Sequence, residues 1–312
     1  MRVLLVREEI QDHPLLKSFK VGLSLDLEMT LLNLWKLRSK KLECLFTTDP
    51  IVYVLANALI SPKINCFFSL EMFEHARLNY SYLNRLKNYI FKICHRRAIS
   101  SADYVIFCNQ IRREYYLDKG WVKCTSIVLE NLPSQKVLNF ISYTSPMDRA
   151  TLSRKYNINL NGKICLVYAG SMSKERGVEM LIDRVSRSPE VYLFLVGNYI
   201  GEMKTELPSN VQALGRMSHN DTLRLIMSCD AQIAYYDNSL LNTRFAAPQK
   251  LYESAALGVP LIVNRNPGIE SCSFTETIVW DYDFQKIKNI NRQVIAPYEG
   301  LLRKFSETHL SG

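Results

Sequence analysis

Hydrophobic and polar positions along the chain follow two alternating periods, and the alternation runs through twice. Short, mostly apolar runs recur at Arg2–Val6, Glu43–Phe46, Ile64–Phe68, Tyr104–Cys108 and Ser126–Leu129. Between them, apolar residues fall three and four apart around Leu25–Leu37, Ile51–Leu59, Tyr80–Ala98 and Ile111–Asp118. The first kind predicts buried strands and the second amphipathic helices. A stretch rich in turn formers follows, with Asn131, Pro133, Ser134, Ser145 and Pro146. Strand-like runs then restart at Ile164–Ala169, Val191–Val196, Val211–Ala213, Gln232–Tyr235 and Pro260–Val263, with a last one at Thr277–Trp280.

Strands alternating with helices of about 10–15 residues build β-α-β units, whose strands run parallel. Two such series predict an α/β protein with two parallel sheets in tandem. A length of 312 residues suits two domains, since single cores stop growing well before that size. The expected division is residues 1–145, residues 146–290, and a weakly helical tail over 291–312 that packs back on the first domain.

Composition narrows the function classes. With 47% hydrophobic and 22% charged residues the chain is an ordinary globular one, and no apolar run reaches the roughly 18 residues that span a bilayer. The opening MRVLLVREEI has too short an apolar core for a signal peptide and reads as a first strand, so a cytoplasmic protein is expected. The eight cysteines show no C-x-x-C pair and sit mostly inside apolar runs, which predicts buried thiols and no zinc site.

The net charge of +9 is uneven: residues 1–150 carry 21 Lys/Arg against 14 Asp/Glu, and the rest carry 18 against 16. Basic clusters lie at Lys36–Lys41, at Lys92 with Arg96 and Arg97, and at Arg112–Arg113. Solvated faces would account for them. An anionic membrane surface, making the protein peripheral on the inner leaflet, or a phosphorylated acceptor would account for them equally. No motif points to nucleic acid.

The chemistry concentrates after Ile164. A strand, ICLVYA, runs into Gly170-Ser171-Met172-Ser173-Lys174-Glu175-Arg176-Gly177, and a helix follows with Val178, Leu181, Ile182 and Val185 on one face. A glycine-bounded loop between strand and helix is how α/β proteins aim a helix N-terminus at an anion. Lys174 and Arg176 can add charge-assisted bonds to phosphate. Further on, Pro248 opens a short helix that Gly258 ends before Pro260. Inside it Glu253 can bridge the two adjacent hydroxyls of a ribose, although a solvent-facing glutamate would fit the same pattern. Between these lie LFLVGN, ending at Gly197 and Asn198, and the loop Gly215-Arg216-Met217 before a Ser218/Asp221 capping box.

The order AGSMSKERGVEMLI, FLVGN, LGRMSHNDTLRLIMSCDAQIAYY and AAPQKLYESAALGVPLIV resembles the donor domain of the retaining GT-B glycosyltransferases of family 4, over residues 160–272. P-x-K-L-x-E-x-x-A-x-G-x-P is its most specific part. The resemblance implies two Rossmann-like domains facing each other across a cleft, and transfer of a sugar from a nucleoside diphosphate to a glycan or lipid-linked acceptor without metal or other cofactor. It implies that Glu253 holds the ribose and Arg176 the diphosphate. Gly170, Ser171, Lys174, Gly197, Lys250 and Leu251 would lie along the donor, and Arg216 with Met217 would face the base. Ser171 stands where the family often has Arg or Lys, and Phe245 where a second glutamate is usual. The first domain looks abbreviated, lacking a glycine-rich loop after its first strand. There Glu71, Glu74 and His75 are the candidates facing the transferred sugar, with solvated helix-start residues as the alternative. A catalytically degenerate homologue that binds a nucleotide sugar or partner without turnover, and a sugar-nucleotide epimerase, are the competing readings. Asp281-Tyr282-Asp283 has the form of a metal-binding D-x-D, but its late position favours a turn.

Overall fold

The computed structural model describes residues 3–4, 43–73, 82–172, 176–199, 206–272, 275 and 278–289. The expected helix at Leu25–Leu37, the Lys36–Lys41 cluster, Glu74, His75, Lys174 and the tail from Asn291 lie outside them. Two compact units emerge. The first comprises Met1–Gln135 with Asn238–Ala247, and the second Lys136–Asp237 with Pro248–Gly312.

Unit 1 is built on a parallel sheet in which β1 (Val3–Leu4), β2 (Cys44–Thr47), β3 (Ile64–Ser69), β4 (Tyr104–Phe107) and β5 (Thr125–Val128) follow one another in order. Helix α1 (Pro50–Ile60) starts where Asp49 accepts from the amides of Ile51 and Val52 at 2.8 and 3.0 Å, with Pro50 in the first turn. Helices α2 (Tyr82–Ser101) and α3 (Gln110–Asp118) are the next helices described, and Tyr53, Phe67, Ile99 and Tyr116 form the core between helices and sheet.

One basic residue read as surface charge is not on the surface. Arg112 on α3 is 4% exposed. Its guanidinium donates to the carbonyls of Phe245 at 2.6 Å, Asn242 at 3.0 Å and Leu70, so it holds the segment Asn238–Ala247 in unit 1. Asn109 adds a bond to the Ala246 carbonyl at 3.2 Å and Asn131 one to Ala247 at 2.7 Å. The cation is thus solvated by backbone, which is how a charge tolerates burial.

The turn-rich stretch holds one helix, α4 (Gln135–Tyr143), and a second, α5 (Arg149–Tyr156), follows it. Polar residues cap α5: Asp148 accepts from the Thr151 amide, and Asn157 ends the helix at a φ of 52°. Unit 2 then lays down β6 (Ile164–Ala169), α6 (Val178–Ser186), β7 (Val191–Val196), β8 (Val211–Gly215), α7 (His219–Ser228) and β9 (Ala231–Ile233). A short helix, α8 (Leu241–Arg244), occupies the segment held by Arg112, and α9 (Gln249–Leu257), β10 (Leu261–Val263), α10 (Pro267–Glu270), β11 (Ile278–Trp280) and α11 (Phe284–Asn289) follow.

The second sheet is parallel throughout, in the order β11-β10-β9-β6-β7-β8. All six residues of β6 and of β7 are buried, as central strands covered on both faces must be. Ile164, Leu166 and Tyr168 face one apolar layer and Cys165, Val167 and Ala169 the other, which is the period of two of a doubly covered sheet. Each expected strand has a counterpart; β6 and β7 match to the residue, and the others differ by one or two residues at one or both ends, with only Val3–Leu4 of the first described.

Asn210 locks the loop before β8. Its amide donates to the carbonyls of Val185 at 2.8 Å, Ser188 at 3.2 Å and Val191 at 3.0 Å. Replacing it with leucine leaves those carbonyls without this donor, so Asn210→Leu is expected to lower stability by about 2 kcal/mol, measured by urea unfolding. A loss under roughly 0.5 kcal/mol would show that water replaces the amide freely.

Candidate functional site

A sheet whose strands all point one way gathers its strand-to-helix loops at one end, and an opening forms where the strand order reverses. In unit 2 the chain goes from β6 outward to β7 and β8, then returns to place β9 on the other side of β6. The reversal therefore lies between the ends of β6 and β9, at Gly170 and at Ala234–Tyr236.

Two helices start there without a side-chain cap: α6, whose N-cap is Gly177, and α9, whose N-cap is Pro248. By contrast α5, α7 and α10 are capped by Asp148, Ser218 and Asn266. An uncapped N-terminus leaves amide donors and the positive end of the helix dipole available to an anion.

The glycines are demanded by close approach. A Cβ on Gly177 would lie 2.3 Å from the Tyr235 ring, and one on Gly197 would lie 2.0 Å from the Gly170 carbonyl oxygen. Gly170 itself has a φ of 137°, and its amide donates to Val196 at 2.9 Å. The loops after β6 and β7 thus pack backbone against backbone. The Lys250 ammonium comes within 3.1 Å of where a Cβ on Gly170 would sit.

Two cations and a carboxylate lie close enough here to influence one another. Lys250 Nζ lies 4.5 Å from the centre of the Tyr168 ring, and the Arg176 guanidinium lies 6.0 Å from that of Tyr236. Desolvation, with the neighbouring Arg176 adding to it, pushes Lys250 down to about 7. One turn along α9, Glu253 is 8% exposed and accepts from Gln249 Nε2 at 2.9 Å. Desolvation raises its carboxyl to about 7, against the opposing pull of Lys250 and Gln249. His219 Nε2, at the start of α7, lies 3.7 Å from the same carboxylate oxygen. Burial pushes Tyr168 up to about 12, and its hydroxyl donates to the Ser171 carbonyl at 2.7 Å.

Gly170, Gly197, Lys250 and Glu253 thus come together at the reversal, with Ser171 exposed on the loop and Arg176 exposed at the helix start. Leu251 has no accessible surface, so only its backbone is available to a ligand. Arg216 is exposed just past β8, while Met217 packs half-buried on the core beside α7. In unit 1, Leu70–Phe73 are not helical, and Glu71 accepts from Asn242 Nδ2 there. Position 245, where the resemblance expects a glutamate, carries a phenylalanine packed on Tyr115 at 5.7 Å. Asp281 and Asp283 pair with Arg265 and Lys286 at 3.6 and 3.5 Å, and Tyr282 between them is buried with its hydroxyl on the Ala234 carbonyl. Among the described residues no group of three His, Cys, Asp or Glu gathers as a metal site.

Sequence reasoning missed Tyr168, Tyr236, His219 and Gln249. The tyrosines sit inside apolar runs and look like core. Gln249 precedes Glu253 by one helical turn, a spacing that could have flagged it.

No known family profile matches the sequence, and no curated protein does. Solved structures do match. Anabaena HepE in complex with UDP-glucose superposes with a TM-score of 0.62, at 15% identity over 100% of each chain. Sucrose-phosphate synthase from Thermosynechococcus elongatus gives 0.57, at 16% identity over 96% of this chain and 82% of that one. A glycosyltransferase from Rickettsia africae gives 0.58, at 12% identity over 99% and 89%. The fold is GT-B. At these identities the likeness establishes the fold, and the function rests on the site.

The two shifted groups set a pH dependence. Glu253 binds its proton more tightly folded than unfolded, so its contribution to stability falls as pH rises from about 4.5 to 7. Lys250 binds its proton less tightly folded, so its contribution recovers between about 7 and 10.5. The ligand-free protein is therefore least favoured by this pair near pH 7. Glu253→Gln removes the first effect: its melting temperature is expected to gain on wild type between pH 5 and 7. A gap that stays constant over that range would show that the Glu253 carboxyl is not shifted.

Proposed function

We propose that this protein transfers a sugar from a nucleoside diphosphate sugar to a glycan or lipid-linked acceptor. The observation that carries the proposal is the set of groups at the strand-order reversal of unit 2. Two uncapped helix N-termini, Lys250 and Arg176 suit a diphosphate. Glu253, beside Gln249, suits a ribose diol. A uridine nucleotide is the preferred donor, because HepE binds UDP-glucose and a trehalose-6-phosphate structure carries UDP-2-fluoro glucose.

The chemistry follows from charge. As the glycosidic bond to the diphosphate breaks, negative charge grows on the leaving oxygens. Donors fixed beforehand at that place lower the barrier more than they stabilise the ground state. An arriving diphosphate favours protonated Lys250, so the ammonium that burial discharges is recharged by the ligand itself. In this reading the grip on the leaving group takes the part a divalent cation plays elsewhere. Retention of anomeric configuration, hexosyl transfer in the manner of family 4, and a place in surface polysaccharide or glycoconjugate synthesis complete the proposal. The enzyme would work in the cytoplasm, against the inner leaflet when its acceptor is lipid-linked.

UDP at about a hundred times its Kd is expected to raise the melting temperature by roughly 5 °C, and Glu253→Ala to abolish the rise. No shift with UDP, GDP or ADP at millimolar concentration would refute the donor site. Incubation with UDP-sugars, followed by NMR at the anomeric proton, reads turnover and stereochemistry. Binding without any turnover across several donors and acceptor lipids would favour the degenerate homologue, and release of UDP with an epimerised sugar would favour the epimerase.

A further inference from the structure

Helix α2 of unit 1 carries a feature that the donor site does not use. Its twenty residues, Tyr82–Ser101, contain five Lys/Arg and no Asp or Glu. One face does what a helix on a parallel sheet should do: His95, Ala98 and Ile99 are buried, with His95 Nε2 at 2.8 Å from Ser69 Oγ. The opposite face is apolar as well. Leu86 is 46% exposed, Tyr89 62%, Ile90 43% and Ile93 51%. These four stand at i, i+3, i+4 and i+7, and so form one continuous stripe along the outer side of the helix.

The basic residues are arranged around that stripe. Arg97 continues its line one turn further, and Arg85, Lys92 and Arg96 run along one flank, with Lys87 on the other; all five are exposed. Lys87 and Arg96 remain exposed while lying over the rings of Phe91 at 6.0 Å and Trp121 at 5.2 Å. Long cationic side chains bordering an apolar stripe, with an exposed tyrosine at its edge, match an interface whose charge is negative and whose interior is hydrocarbon. A nucleic-acid surface would set phosphates against Leu86, Ile90 and Ile93, and gain nothing from them. An acidic protein partner would meet the cations alone.

We infer that the outer face of α2 is a membrane-docking surface for anionic phospholipid, seating Leu86, Tyr89, Ile90 and Ile93 at the acyl boundary with Lys87, Lys92 and Arg97 at the headgroups. This deepens the proposed acceptor class and rests on it for its purpose, since a lipid-linked acceptor is reached from the bilayer surface. The binding itself is read independently of any transfer.

The test is co-sedimentation of the full chain with vesicles of phosphatidylcholine and phosphatidylglycerol at 70:30, beside vesicles of phosphatidylcholine alone. Wild type is expected to favour the anionic vesicles at least tenfold. Leu86→Ser/Ile90→Ser/Ile93→Ser and, separately, Lys87→Ser/Lys92→Ser/Arg97→Ser should each lose at least tenfold in apparent affinity, while their UDP-induced melting shifts stay as in wild type. Tyr89→Trp should show fluorescence quenching by brominated lipid in the anionic vesicles. Absent binding, or an apolar triple variant that binds as wild type does, would overturn the inference. So would a triple variant that melts several degrees lower, or that converts a dimer to a monomer, because the stripe would then be packed against protein. Loss of vesicle binding with an intact UDP shift, and the reverse, separate failure of the docking surface from failure of the donor site.

Discussion

The constraint on which the rest of the second unit depends is that its strands all run in one direction. Parallel strands bring every strand-to-helix connection to one end of the sheet, and the order β11-β10-β9-β6-β7-β8 forces one place where neighbouring connections diverge. That place has to be lined by loop backbone and helix starts, because nothing else is there. The glycines at 170, 177 and 197 follow from the same constraint. Gly177 and Gly197 let a tyrosine ring and the neighbouring loop approach more closely than any Cβ allows, and Gly170 adopts a φ of 137°.

What the fold leaves there is a concentration of positive charge beside a buried carboxyl. Uncapped helix starts are positive, and Lys250 and Arg176 add to them, yet Lys250 is so desolvated that its proton is loosely held near neutrality. Glu253 is in the mirror situation. Either group alone would be a poor choice for a buried position, and together they offset only part of the cost. A ligand with negative charge at one end and paired hydroxyls at the other would relieve both at once.

Much of this was legible in the sequence. The strand runs ICLVYA and VYLFLV could be placed to the residue because burial on both faces leaves no polar position to blur their ends. The Gly170 loop and the helix around Glu253 are local signals, a glycine-bounded turn and a Pro-to-Gly helix, but joining them to each other and to Lys250 took the resemblance to the GT-B donor domain. Side chains brought in from elsewhere in the fold could not be joined to them. His219 reaches Glu253 from a helix thirty-four positions away, and Tyr168 and Tyr236 are aromatic residues that periodicity can only assign to a core. The apolar stripe on α2 was hidden for the opposite reason. A twenty-residue helix with apolar residues all round reads simply as well packed until the fold shows which side is covered.

Arg112 shows the same limit most sharply. As part of an Arg-Arg pair with a lysine downstream it has every mark of a solvated charge, yet it is buried and holds a ten-residue excursion of the chain against unit 1. That excursion explains the phenylalanine at 245. The segment's carbonyls at 242 and 245 are committed to the guanidinium, and the Phe245 ring is committed to Tyr115 and the apolar core beside it. A glutamate there would have to bury its carboxylate against aromatic rings, at a cost that only a partner could offset. The departure from the resembled motif is therefore a consequence of how this segment is anchored. It leaves intact the stretch from Pro248 onward, where α9 begins and the groups that suit a nucleotide are set.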